Sequence, residues 1–197
     1  KVPITAVVVD DRSCAGSEPQ WNSGAKLLQF FAGQCGEGAT AGGAADIVFV
    51  IDYSGSMGEE ISKVQAEVTS FATSLSTSGV DFALGLVEAC SPMTVAQTLT
   101  TNVSTFNSAV NSAGCSGSVQ SYDAMTGLAN GTINVGFRSG AKKFIILITD
   151  TSPETGTGSS IEFCNTPNPT EEATVASTLS GASVTLFAIV ETPTDPS

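Results

Sequence analysis

Residues 46–52 (DIVFVID) and the loop after them, residues 53–58 (YSGSMG), decide the fold and the candidate site. Five apolar residues run without alternation between Asp46 and Asp52, which predicts a strand buried on both faces. Such strands are typical of a parallel sheet with helices on both sides. Residues 59–75 place apolar side chains at spacings of three and four, so an amphipathic helix is predicted to follow the loop.

The rest of the chain continues this alternation of strands and helices. We therefore expect an α/β fold with a mostly parallel sheet covered by helices on both faces. A Thr-rich strand at residues 95–101 is expected at an edge of the sheet. Further strands are predicted at 81–87, 95–101 (the Thr-rich strand), 143–149 and 184–190, and further helices at 103–110, 122–129 and 170–179.

The N-terminal part of the chain differs in character from the remainder. Residues 1–45 are expected to form an extension, with an apolar strand at 4–9, a short helix at 23–31 and a Gly/Ala linker at 36–45. The predicted domain covers 46–191, and 192–197 form a tail. The chain opens without a signal peptide, so a mature form is expected, and no apolar stretch is long enough to span a bilayer.

Composition excludes several classes of function. The chain has 197 residues, seven Lys and Arg against 19 Asp and Glu, and a net charge of −12. Nucleic-acid binding needs clustered basic residues, so a nucleic-acid partner is not expected. The absence of His excludes Ser-His-Asp and Cys-His catalysis and imidazole metal ligands. Without a nucleophile–base pair or a cofactor loop, we predict that the protein is not an enzyme.

Two of the buried strands end in an aspartate, Asp52 and Asp150. A buried carboxylate needs a partner, and the few Lys and Arg residues are not obvious ones, so a cation is predicted. Ser54 and Ser56 stand at alternate positions after Asp52 and complete an oxygen-only set of the kind that Mg²⁺ prefers. Ser56 has a second interpretation, because Ser56 and Glu59 also form a helix capping box.

The segments DIVFVIDYSGSMG and KKFIILITD resemble von Willebrand factor type A domains, whose signature is Asp-x-Ser-x-Ser. The resemblance covers about residues 46 to 191 and implies a Rossmann-like, doubly wound fold. It also implies a metal-ion-dependent adhesion site with Asp52, Ser54, Ser56 and Asp150 as ligands. By this resemblance, Mg²⁺, with Ca²⁺ or Mn²⁺ as substitutes, binds an acidic side chain of a protein partner.

Three features depart from that family pattern. The middle motif normally has a Thr five residues before a helical Ala, and here that position holds Val119. Ser118 and Ser121 flank it, and either hydroxyl could take its place as a ligand. The C-terminus is expected to be shortened by an edge strand, and the N-terminal strand could fill that edge in its own chain or in a neighbour's.

The five Cys residues leave two interpretations open, buried free thiols or two disulfides with one odd thiol. Disulfides agree better with the acidic, Ser/Thr-rich composition, which favours a secreted or cell-surface protein. The candidate pairs are Cys90–Cys115 and Cys14–Cys35, which would leave Cys164. We predict a metal-dependent protein-binding or adhesion module. The alternative is a structural subunit of an extracellular assembly or filament, a homo-oligomer in which the N-terminal strand completes a neighbour's sheet.

Overall fold

The computed structural model describes residues 7–8, 44–58, 61–77, 79–115, 117–149 and 169–190. Within these residues the strands are β1 (Val7–Val8), β2 (Ala44–Ile51), β3 (Asp81–Glu88), β4 (Thr94–Thr100), β5 (Lys142–Thr149) and β6 (Val184–Val190). The helices are α1 (Ile61–Thr77), α2 (Val103–Ser112), α3 (Ser121–Asn130) and α4 (Pro169–Gly181), with a short 3₁₀ turn at Gly55–Gly58. None of the helices described here is long and apolar enough to cross a membrane.

The described strands form one sheet in the order β1-β6-β5-β2-β3-β4. All neighbours are parallel except β3 and β4, which are antiparallel. The central strands β2, β3 and β5 are apolar over most of their length because helices cover both of their faces. The predicted α/β fold with a mostly parallel, doubly covered sheet is therefore confirmed, and the Thr-rich strand β4 lies at an edge as expected.

Side chains alternate between the two faces along β2, and this alternation sets the position of the candidate site. Ile47, Phe49 and Ile51 pack against α1 and α2. Val48 and Val50 face the opposite way and pack with residues of α3 and α4. Even-numbered residues of β2 therefore point towards α3 and α4, and odd-numbered residues point towards α1 and α2.

The edge beside β6 is occupied by the chain's own N-terminal residues. Val7 pairs with Phe187 and Val8 with Ala188, in parallel register. Within a single chain, these two residues thus occupy the edge beside β6, and whether the strand can also pair with a neighbouring copy stays a prediction. The rest of the predicted strand 4–9, the helix at 23–31 and nearly all of the Gly/Ala linker lie outside the described residues.

The amino end of the sheet is closed by Arg138, which belongs to the connection between α3 and β5. Its Nε and backbone N–H donate to the carboxylate of Asp46, which is completely buried. Its Nη1 donates to Asp81 at 2.7 Å and its Nη2 to the carbonyl of Ala45 at 3.0 Å. Desolvation lowers the pKa of the guanidinium, but the hydrogen bonds to Asp81 and Asp46 outweigh it, so the pKa lies above its usual value. Arg138 therefore ties the starts of β2 and β3 together.

Candidate functional site

Asp52 lies one residue beyond β2, at the carboxyl end of the sheet. Its backbone N–H donates to the carbonyl of Ile148 at 2.9 Å, so the pairing with β5 extends through this residue. Its side chain is completely buried. One carboxylate oxygen accepts the N–H of Ser54 at 2.7 Å, and the other accepts the hydroxyl of Thr149 at 2.8 Å. The carboxylate is thus held in one orientation by the loop after β2 and by the last residue of β5.

The loop after Asp52 turns sharply back over the end of β2. The Ser54 N–H bond to Asp52 closes a short turn of the kind that aspartate favours. Met57 donates its N–H to the Ser54 carbonyl at 3.1 Å and buries its side chain in the core. Ser54 is half-buried. The backbone of Ser56 lies in the 3₁₀ turn, but its side chain and Glu59 lie outside what the structure describes. Both interpretations of Ser56, as a metal ligand and as part of a helix capping box, therefore remain predictions.

The side chain of Tyr53 lies on the other face of the sheet and attaches the loop to a helix there. Its hydroxyl donates to the carbonyl of Val110 in α2 at 3.1 Å, and Gln65 of α1 donates to the same carbonyl at 3.2 Å. Burial, and then the negative charge of Glu88, raises the pKa of the Tyr53 hydroxyl above its ordinary value, so the group stays protonated at neutral pH. Tyr53 therefore fixes the site loop to α2, and Gln65 links α2 to α1.

The segment 117–121 forms the neighbouring wall of the site, beside the end of β3. The Gln120 N–H donates to the Ala89 carbonyl at 2.8 Å, and the Ala89 N–H donates to the Ile51 carbonyl at 3.0 Å. Hydrogen bonds thus connect this segment through the end of β3 to the last residue of β2. Helix α3 begins directly after Gln120, so its first turn starts level with the strand ends.

A disulfide and a close backbone contact hold the same segment in place. Cys90 and Cys115 are bonded, with 6.0 Å between their Cα atoms, which confirms one of the two predicted pairs. Gly117 lies against Ser91 so closely that a Cβ at this position would come 2.0 Å from the Ser91 carbonyl oxygen. Only glycine fits there. Cys14, Cys35 and Cys164 lie outside the described residues.

The structure separates the three residues considered for the middle motif. Val119 is 6% exposed, and its backbone pairs with Cys90 in an isolated bridge. Ser118 is exposed, and its carbonyl accepts the Ser91 N–H at 2.9 Å. Ser121 is 0% exposed, and its hydroxyl oxygen has no hydrogen-bond partner within the described part of the chain. Buried polar atoms in folded proteins nearly always have partners, so this hydroxyl requires an explanation.

These residues provide a donor set suited to a hard divalent cation. An oriented carboxylate and an unpartnered hydroxyl are oxygen ligands of the type that Mg²⁺ and Ca²⁺ take. Asp150, the second predicted carboxylate, lies outside the described residues. Over the described ranges, no three His, Cys, Asp or Glu side chains come together as a metal-binding group. The set therefore consists of one carboxylate supported by hydroxyl oxygens, and it fits a cation only with further ligands from elsewhere.

Thr149 also lies in this candidate site and is not among the residues predicted from the sequence. Its hydroxyl bonds to Asp52 from the neighbouring strand. The signal was present in the alternation of β5, where Ile145 and Leu147 face α3 and α4 and Thr149 is the next residue of that series. A buried hydroxyl that interrupts an apolar strand, opposite a buried aspartate, indicates a hydrogen bond between the two.

The solved structures that this chain matches include two proteins. One is the crystal structure of the pilus adhesin SpaC from Lactobacillus rhamnosus GG in its open conformation, which is 26% identical with a TM-score of 0.47. That match covers 58% of this chain and 15% of SpaC. The other is proximal thread matrix protein 1 from the mussel byssus, which is 19% identical with a TM-score of 0.55. That match covers 75% of this chain and 38% of the byssus protein.

The chain thus spans only a minor part of both solved proteins. No curated protein sequence matches it. A family match is found across residues 46–195, which make up most of the chain and include both Asp52 and the segment 117–121. The protein belongs to the von Willebrand factor type A domain family.

Proposed function

We propose that this chain is a divalent-cation-dependent protein-binding module of a secreted or cell-surface protein, and that it is not an enzyme. Asp52, Ser54, Ser56 and Asp150 would hold the ion, Mg²⁺ first and Ca²⁺ or Mn²⁺ as substitutes. When bound, the ion supplies a positive centre that attracts an acidic side chain of the partner. The chain's own residues orient the ligands and exclude water from the buried side of the site.

The observation that carries this proposal is the environment of Asp52. This carboxylate is completely buried at the carboxyl end of a central strand, where ligands bind in open α/β sheets. Its oxygens are oriented by the Ser54 N–H and the Thr149 hydroxyl, which come from two different segments. An aspartate held in this way, followed by Ser54 and Ser56 in a member of this family, supports the proposal that Asp52 is a cation ligand.

The charge of the chain supports a cation as the link to an acidic partner. At a net charge of −12, the protein repels carboxylates over its surface. A bound divalent ion reverses the sign locally and gives an acidic partner one favourable point of contact. The location outside the cell is supported by the Cys90–Cys115 disulfide, because such bonds persist mainly in oxidising compartments.

A structural subunit of an extracellular assembly remains the second candidate. In that candidate, the N-terminal strand would complete the sheet of a neighbouring copy. The described pairing gives it no support, because Val7 and Val8 pair with β6 of their own chain. Light scattering coupled to size-exclusion chromatography separates the two candidates, since strand exchange produces oligomers and the binding module can remain a monomer.

Thermal unfolding tests the metal dependence directly. We compare EDTA-treated protein with the same protein titrated with Mg²⁺, Mn²⁺ and Ca²⁺, beside Asp52→Asn and the control Glu67→Gln in the middle of α1. A ligand at about 100 times its Kd stabilises the fold by roughly 2.7 kcal/mol. That corresponds to a rise in Tm of about 5–10 °C for a chain of this size. The rise should vanish in Asp52→Asn and persist in Glu67→Gln.

The same assay tests whether a carboxylate completes the site. Excess acetate, compared with chloride at equal ionic strength, should raise the Tm of the Mg²⁺ form further and leave the metal-free form unchanged. No response of the wild-type protein to any of the three ions would contradict the proposal. A response that survives in Asp52→Asn would place the metal elsewhere.

A further inference from the structure

We propose that Ser121 supplies the middle ligand of the metal site, two residues after the position where the family pattern places it. This inference rests on the proposed metal dependence and adds the residue that makes the site complete. Val119 occupies the expected position and has no oxygen in its side chain. The hydroxyl of Ser121 would take over the role from the first residue of α3.

The first argument is the face of α3 on which Ser121 lies. Six residues of this helix are buried, and four of them, Ser121, Ala124, Met125 and Leu128, form one stripe at spacings of three and four residues. The other three members belong to the apolar cluster that also contains Val48 and Val50 of β2. Ser121 therefore faces the sheet, and it is the one polar residue of this stripe.

The second argument is the level at which Ser121 meets the sheet. Asp52 follows Val48 and Val50 in the alternation of β2, and Thr149 follows Ile145 and Leu147 in β5, so both side chains project towards the α3 side. Their hydrogen bond confirms that they meet there. Gln120, next to Ser121, is linked through Ala89 to the end of β2. Ser121 and Asp52 thus share one face and one end of the sheet.

The third argument is the state of the Ser121 hydroxyl. It is 0% exposed and makes no hydrogen bond to any described residue. A buried hydroxyl without a partner destabilises the fold, whereas an alanine at the same position would not carry that penalty. Among the described residues the Ser121 hydroxyl thus has no partner, and coordination of a cation would provide one.

The local structure also explains why the ligand position is displaced. The backbone of Val119 pairs with Cys90, and Ser118 points to solvent while its carbonyl bonds to Ser91. The disulfide at Cys115 and the tight contact of Gly117 hold this arrangement. Ser118 and Val119 thus form backbone contacts that hold the segment against the residues following β3. Ser121 is the next hydroxyl along the chain that lies on the inner side.

In Ser121→Ala we expect the stability of the metal-free protein to increase and its affinity for metal to decrease. A purely structural serine would not give this combination. We expect the Tm of the EDTA-treated variant to rise by a few degrees, because the unpartnered hydroxyl is gone. We expect its Kd for Mg²⁺ and Mn²⁺, measured by calorimetry and by Tm titration, to rise at least about tenfold. The matched control Ser118→Ala, an exposed serine three residues earlier, should change neither quantity.

Ser121→Cys provides a test that does not depend on stability. Sulfur is a poor ligand for Mg²⁺ and a good one for the soft ion Cd²⁺. We expect the ratio of Cd²⁺ to Mg²⁺ affinity to rise at least about a hundredfold over the wild type in Ser121→Cys. The ratio should stay at the wild-type value in Ser118→Cys, which controls for the binding of Cd²⁺ to an added thiol.

The outcomes separate this inference from the proposed function. If the wild-type protein binds metal through Asp52 and Ser121→Ala binds it equally well, the inference is overturned and the proposed function stands. A lower Tm of metal-free Ser121→Ala also overturns it, since the hydroxyl would then have a structural partner. If Val119→Thr alone tightens metal binding at least about tenfold, the ligand belongs at 119. If the wild-type protein binds no metal, both proposals fail.

Discussion

The two ends of β2 carry two buried aspartates, and these differ in their described hydrogen-bond partners. Asp46 begins the apolar run and Asp52 follows it, both are completely buried, and the alternation places both on the same side of the sheet. At the amino end, Asp46 is bonded to the guanidinium and the backbone N–H of Arg138. At the carboxyl end, Asp52 accepts hydrogen bonds from a backbone N–H and a hydroxyl, both uncharged.

The contrast separates a structural carboxylate from a candidate functional one on the same strand. Arg138 neutralises the charge of Asp46 and joins β2, β3 and the connection that precedes β5. The two described bonds to Asp52 come from uncharged groups, and they orient its carboxylate. An ion pair within the chain fixes the fold at one end, and the oriented carboxylate at the other end is the one proposed to bind a cation.

The largest effect on stability is expected when the ion pair at the amino end of β2 is removed. Arg138→Met leaves the buried charge of Asp46 without its guanidinium, and removing one partner of a buried pair costs about 4 kcal/mol. We expect the Tm to fall by roughly 8–16 °C. The Kd for Mg²⁺ should remain at the wild-type value, because the site lies at the opposite end of the sheet. Urea unfolding and a metal titration measure the two quantities.

The double variant Asp46→Asn, Arg138→Met is the control for that change. Removing both charges should recover part of the lost stability, because no buried charge then remains without a partner. If Arg138→Met unfolds at the wild-type temperature, or if its metal affinity falls with its stability, the separation of the two ends is wrong.

The next largest effect concerns the segment that brings Ser121 to the site. The Cys90–Cys115 disulfide closes a sequence separation of 25 residues. Loop-closure entropy for such a loop amounts to about 3 kcal/mol. Cys90→Ala, Cys115→Ala should therefore lower the Tm by roughly 6–12 °C and, unlike Arg138→Met, should also raise the Kd for Mg²⁺. An unchanged Kd in this variant would show that the disulfide serves stability alone.

A smaller effect is expected at Thr149, where the carboxyl end can be changed by one group. Thr149→Val keeps the shape of the side chain and removes the hydroxyl that bonds to Asp52. Hydrogen bonds to charged groups contribute about 1.5–3 kcal/mol, so we expect a loss of about 1.5 kcal/mol in urea unfolding together with weaker Mg²⁺ binding. Thr98→Val, at an exposed position of the edge strand β4, should leave both values unchanged. Equal behaviour of the two variants would remove Thr149 from the site.

The sequence predicted the fold well because the decisive signals are local. Apolar runs located the central strands to within two residues, and 184–190 coincides with β6. The spacing of Val64, Val68, Phe71 and Leu75 located α1 by the same kind of short-range pattern. Such patterns arise because a doubly covered strand or an amphipathic helix must bury particular positions, whatever the rest of the chain does.

The features that were missed depend on contacts between distant residues. Arg138 and Asp46 are 92 residues apart, and no local pattern connects them. The sequence left Ser118 and Ser121 as equals because the difference between them arises from the pairing of Val119 with Cys90. The predicted helix 122–129 also began one residue late. That single residue placed Ser121 in a loop and not on the sheet-facing stripe of α3.

The smallest effect is expected at Tyr53, which holds the site loop from the opposite face. Tyr53→Phe removes the hydrogen bond to Val110 and should destabilise the fold by about 1 kcal/mol at neutral pH.

Burial, together with Glu88, raises the pKa of this hydroxyl in the folded state above the ordinary value of 10. The folded protein then holds the proton more tightly than the unfolded chain, so its stability is fully present below pH 10 and declines as pH rises above it. Urea unfolding between about pH 8 and 11 should show a shallower decline in Tyr53→Phe than in the wild type, and equal slopes would mean that Tyr53 ionises as freely in the folded protein as in the unfolded chain.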